Sequence, residues 1–155
     1  MEYGSIERTI RVDASPEVVY EVISSPAHMR EWWNGVDADI EPKVGYAGDL
    51  AWGDRASGEG HVEGVTVVEA EPPHRFAFRW VYGDATVPQH DNSLLVTFVL
   101  TAADDGTVLT MTETGFRERG WEAAQLEAAY AEHLAGWDRH LGDLERYLER
   151  LGSAA

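Results

Sequence analysis

The chain has 155 residues, no cysteine, and 28 acidic against 12 basic residues, a formal net charge of −16. That length suits one domain, residues 1–155, with a substantial core. The absence of thiols excludes a disulfide framework, a thiolate metal site and a cysteine nucleophile, and the shortage of clustered cations argues against nucleic acid and anionic membranes as partners.

From the N-terminus, Ile6–Val12 alternates apolar and polar residues and predicts a first strand. Nothing before it is an apolar run, so it does not read as a signal peptide, and no segment is long and apolar enough to span a membrane. A soluble, cytoplasmic protein is expected. Ser15-Pro16 starts a short helix, with Ser15 as cap and Pro16 at the first helical position. Pro26 opens a second, which ends near Trp32-Trp33-Asn34-Gly35. Asp37–Glu41, Gly48–Trp52, His61–Glu69 and Arg75–Tyr82 read as strands, with loops at 53–58 and 83–92. Phe76, Phe78 and Trp80 share one face of the fourth of these, as in a sheet with one buried side. Ser93–Thr101 and Thr107–Gly115 form a hairpin around Ala103-Asp104-Asp105-Gly106, where Asp-Gly is a strong turn signal, with Leu94, Val96, Phe98, Leu100, Leu109 and Met111 inward.

Trp121–Leu151 is the longest pattern in the chain. Leu126, Tyr130, Leu134, Trp137, Leu141, Leu144, Leu148 and Leu151 recur in steps of four and three, which makes one apolar helical stripe. So long a helix needs a broad apolar surface, and the β-rich middle of the chain supplies it. The expected fold is therefore α+β: a curved antiparallel sheet of about six or seven strands wrapped around a long C-terminal helix, with two short helices after the first strand. The space between sheet and helix is the natural ligand site.

The element order and several phrases resemble the START-like helix-grip superfamily, also called SRPBCC, and within it the branch named for the activator of the heat-shock chaperone ATPase. The phrases are Trp32-Trp33-Asn34-Gly35, Gly58-x-Gly60 leading to Val67-Val68-Glu69-Ala70-Glu71-Pro72-Pro73, Arg75–Trp80, Asp105-Gly106-Thr107, Thr112–Phe116, and His133-x-x-Gly136-Trp137 on the long helix. The resemblance implies the helix-grip fold over nearly all of Ile6–Leu151. For function it implies less, because that scaffold hosts lipid carriers, hormone receptors, cyclases and chaperone regulators.

Glu113 shares strand parity with Leu109 and Met111 and should point inward, unless a bulge reverses it. A buried carboxylate needs hydrogen bonds or a cation, and His133 is the expected partner. Gly136 in mid-helix suggests either close approach of another backbone or ring, such as Trp80 or a short-helix residue, or room made for a ligand. Of Trp32 and Trp33, either one is buried while the other gates the cavity, or the two form a purely structural pair. His61, Glu63, Val65, Val67 and Glu69 share a face that carries two acids and reads as the solvent side. His28, His74, His90 and His140 receive no role. No metalloprotease, P-loop, dinucleotide or nucleophile-elbow motif is present, and no metal or cofactor is expected.

The leading expectation is a protein that binds a small hydrophobic ligand, aromatic, lipid-like or polyketide-like. Phe78, Trp80, Phe98, Met111, Tyr130 and Trp137 would form the wall, Trp33 and Trp52 the opening, and Glu113 and His133 the orienting groups. The second is a chaperone-regulating interaction module, which the additional N-terminal domain of the eukaryotic activators makes a less direct transfer. A cavity acid–base enzyme of cyclase or hydrolase type ranks third. A homodimer through a sheet edge is also compatible.

Overall fold

The computed structural model describes residues 4–53, 61–81, 88, 92–116 and 121–153. The elements run β1 (Ser5–Val12), α1 (Pro16–Ser24), α2 (Pro26–Trp32), β2 (Asp37–Asp39), β3 (Ala47–Trp52), β4 (His61–Glu71), β5 (Arg75–Trp80), β6 (Leu94–Ala103), β7 (Gly106–Thr114) and α3 (Ala123–Ser153). The strands form one antiparallel sheet in the order β1-β7-β6-β5-β4-β3-β2. With α3 against its inner face and α1 and α2 beside it, the architecture is an α+β helix grip.

Local chemistry sets these boundaries. The Ser15 side chain accepts the Val18 backbone N–H at 3.3 Å, and Pro16 opens α1 without wasting a hydrogen bond. Asn34 and Gly35 take left-handed backbone (φ 52° and 71°), which ends α2 and returns the Val36 N–H to the Trp33 carbonyl. The last hairpin turns where expected, over Ala103–Gly106, with Asp104 and Asp105 between the paired Ala103 and Gly106. Its left-handed residue is Asp104 (φ 51°), and Gly106 is already paired in the strand, where a Cβ would collide with the Val12 carbonyl.

The inner face of the sheet is the apolar one. Phe76, Phe78, Trp80, Leu94, Val96, Phe98, Leu100, Leu109 and Met111 are all buried there, and Trp137, Leu141, Leu144 and Leu148 of α3 meet them. The first turns of α3 are looser, with Leu126, Tyr130 and Leu134 only partly buried. Tyr147, outside the expected stripe, is buried as well.

The reading of β4 needs correction. Glu63, Val65 and Val67 lie on the buried side, not the solvent side. Val65 and Val67 pair with Trp80 and Phe78, which point inward. A register shift between Val67 and Glu69 then reverses parity, so that Ala70 packs on the core while Glu69 turns out to meet Arg75 at 2.6 Å. Two acids at one spacing therefore did not mark one face. The side chain of His61 and the loops expected at 53–58 and 83–92 fall wholly or largely outside the described residues.

Candidate functional site

The site grows from a carboxylate placed by strand parity. Glu113, next to the end of β7, follows Leu109 and Met111 onto the inner face and is completely buried. Its Oε1 accepts from His133 Nδ1 at 2.8 Å and from Trp137 Nε1 at 2.9 Å, both on α3. Its Oε2 accepts from Trp80 Nε1 of β5 at 2.8 Å. Indole N–H groups can only donate, so both oxygens act as acceptors, and the acceptor at Oε1 assigns the proton of His133 to Nδ1. Three donors on one carboxylate offset the loss of its hydration. They also tie two strands to the long helix at one point.

Trp33 is the second centre. It is 1% exposed and sits at the end of α2, with ring centroids 5.6 Å from Trp80, 5.5 Å from Trp137 and 6.2 Å from His140. Of the two expectations for Trp32 and Trp33, the fold adopts the structural pair and not the division into one buried and one gating residue. Both are buried, stacked 5.4 Å apart and nearly parallel. Trp32 Nε1 donates to the Val22 carbonyl at 2.9 Å, which fixes the pair from the α1 side. Trp52, half-buried, donates to the Trp33 carbonyl at 3.1 Å and abuts its ring.

Between these two centres lies a pocket of about 170 Å³, lined by Trp33, Trp80, Glu132, His133, Gly136, Trp137 and His140. Four of the expected site residues, Trp33, Trp80, His133 and Trp137, therefore share it. Glu113 stands behind its wall and holds three of the lining side chains. Phe78 and Phe98 form a second layer, Phe78 at 6.0 Å from Trp33 and Phe98 at 6.2 Å from Trp137. Met111 is buried in the core, and Trp52 supports Trp33 without lining the pocket. Tyr130 lies apart: its hydroxyl donates to the Ser5 carbonyl at 2.9 Å and its ring packs on Phe116.

Gly136 does not receive Trp80 or a short-helix residue, as its mid-helix position suggested. A Cβ there would meet only the His140 ring, Nε2 at 3.7 Å and Cδ2 at 3.9 Å. The missing side chain leaves room in the pocket instead.

His140 is the residue that sequence reasoning passed over as lying on the polar side of the helix. It lines the pocket one turn beyond Gly136, edge-on to Trp137 at 6.1 Å. The spacing 133, 136–137, 140 was the available signal, because seven residues are two helical turns. Burial lowers its pKa from 6.5 to about 4, helped by the neighbouring Arg139 charge and opposed by Asp143. Between these two values the unfolded chain takes up a proton that the folded chain refuses, so stability falls as pH drops from about 6.5 toward about 4. Relative to H140Q, the wild type should lose roughly 2 kcal/mol between pH 7 and pH 4 after allowance for partial exposure, measured by urea unfolding at each pH. A constant difference would contradict the buried, neutral imidazole.

His28 also gains a role: its Nδ1 shares a 2.7 Å hydrogen bond with the Tyr147 hydroxyl, joining α2 to α3 beside the site. Among the described residues, no cluster of three His, Asp or Glu side chains is arranged to hold a metal, and no helix is long and apolar enough to cross a membrane.

The family described as activator of Hsp90 ATPase homolog 1-like protein matches residues 13–149. The chain belongs to that family. Similar solved structures include protein MLL2253 from Mesorhizobium loti, 23% identical, with TM-score 0.73 over 94% of this chain and 97% of that one. DynU16, a protein of the dynemicin biosynthetic locus, is 25% identical with TM-score 0.71, over 94% of this chain and 47% of its own. The Aha1 dimer from Colwellia psychrerythraea is 19% identical with TM-score 0.67, over 94% and 96%. Comparison with curated proteins gives no match.

Proposed function

We propose that this family member binds a small hydrophobic ligand in the pocket between the sheet and α3, and that the ligand is about one aromatic ring in size. The observation that carries this reading is a cavity of about 170 Å³ walled by three indoles and two imidazoles. A cavity of about 150 Å³ lined by apolar side chains is known to take up benzene, whereas drug-sized ligands occupy about 300–1,000 Å³. A single ring matches this space, whereas an extended lipid chain or a fused polyketide would have to project from the open side of the pocket. DynU16, of the dynemicin biosynthetic locus, supports a small-molecule role by analogy.

The second reading, a chaperone-regulating module, rests on the family's description. Against it, the exposed large hydrophobics among the described residues are Val18 on α1 and Val44 in the turn between β2 and β3, two single side chains and not a broad apolar patch. A cavity acid–base enzyme remains the third reading, with Glu113 and His133 as its pair.

The test is a thermal shift with toluene. Ligand at ten times its Kd stabilises the folded state by about 1.4 kcal/mol, a rise in Tm of roughly 3–6 °C for a chain of this size. Gly136→Leu, which places an isobutyl group in the pocket, should abolish the rise. An equal rise in both proteins would place toluene elsewhere. No rise in either would favour the interaction module.

A further inference from the structure

The pocket is not uniformly apolar: Glu132, His133 and His140 line it together with the indoles, and His140 is the one beside the space that Gly136 leaves. Gly136 leaves the Nε2–Cδ2 edge of the His140 ring facing the pocket, while Nδ1 is buried and has no hydrogen-bond partner among the described residues. A neutral imidazole carries one N–H. Buried N–H groups without an acceptor are rarer than unused acceptors, so the proton is assigned to Nε2. His140 then presents an N–H donor at the edge of an aromatic-walled pocket. The depressed pKa keeps the ring uncharged at pH 7.

The electrostatic setting is the second observation. No lysine or arginine appears among the described lining residues, Glu132 is exposed on the rim, and Glu113 lies directly behind the wall. The chain as a whole carries −16. An anionic ligand would be repelled on approach and would find no cation on arrival. A neutral oxygen acceptor has neither difficulty, and a hydroxyl or carbonyl oxygen is the smallest group that the donor can use.

On the cavity reading above, we infer that the ligand is an uncharged single-ring aromatic bearing an oxygen acceptor, and that His140 is the residue selecting that oxygen. Phenol and toluene fill nearly the same volume, so their ratio of affinities isolates the polar contact from the apolar wall. Burial of a hydroxyl without a partner disfavours phenol; a hydrogen bond from His140 reverses that.

Calorimetric titration of phenol, toluene and benzoate at pH 7 into wild type, H140F and G136L tests this. The ratio of toluene Kd to phenol Kd should fall about 3- to 10-fold from wild type to H140F, the size of one net hydrogen bond. Benzoate should bind at least about 10-fold more weakly than phenol, as one uncompensated charge requires. H140L carries the same comparison should H140F not fold. An unchanged ratio, or benzoate binding tighter than phenol, overturns the inference. Toluene that binds wild type but not G136L leaves the cavity reading intact in that event. Toluene that binds neither protein, or both equally, removes the cavity reading and this inference together.

Discussion

Glu113→Leu is expected to destabilise the fold by about 3–5 kcal/mol, because it strands three buried donors at once. Trp80 Nε1, Trp137 Nε1 and His133 Nδ1 all donate to this one carboxylate, and all three hydrogen bonds are buried. Leucine fills the volume but accepts nothing. Replacing a whole buried polar cluster with apolar residues can be neutral, but removing one member is not. Glu113→Gln is the graded control. Its amide oxygen can keep the two bonds at the Oε1 position, while its NH₂ faces the Trp80 N–H, donor against donor. That should cost about 1–3 kcal/mol. Urea midpoints for both variants provide the check, and a leucine variant as stable as wild type would mean that the carboxylate does not organise the wall.

Trp33→Ala should cost about 3–5 kcal/mol, the range for deleting a fully buried aromatic ring. It should also abolish toluene binding. The indole touches Trp32, Trp52, Phe78, Trp80, Trp137 and His140, so its loss opens a void that these rings cannot all close. Trp52→Ala is the comparison. Trp52 is half-buried and stands outside the pocket, so its truncation should cost less and leave toluene binding measurable. Urea unfolding together with toluene titration separates the two. If Trp33→Ala cost no more than Trp52→Ala, Trp33 would not be the centre of the aromatic cluster.

The sequence carried the fold because its two periodicities are long and clean. The stripe from Leu126 to Leu151 admits only a helix, and parity along Ser93–Thr101 and Thr107–Gly115 puts Leu109, Met111 and Glu113 on one side. The Glu113–His133 pairing followed from the demand that a buried carboxylate find a donor. That Trp80 and Trp137 join it did not, because the meeting of β5, β7 and α3 at one point depends on sheet curvature that no local pattern records. Parity failed on β4 for two physical reasons. Glu63 is an acid that the fold buries, and the bulge after Val67 changes which residues face in. Trp33 was legible as an aromatic near the cavity but not as buried, since its neighbours come from β3, β5 and α3. His140 was hidden by its polarity, although its helical spacing from His133 and Trp137 pointed to the same side.

The most direct measurement of the central claim is a toluene titration followed through the six tryptophan indole N–H resonances. Trp33, Trp80 and Trp137 line the pocket, and the last two bond to Glu113, whereas Trp121 precedes α3 and does not line it. Saturable shifts at Trp33, Trp80 and Trp137, with Trp121 unmoved, are the predicted result. Linear drift of all six resonances together, or shifts confined to Trp121, would contradict a ligand site between the sheet and the long helix.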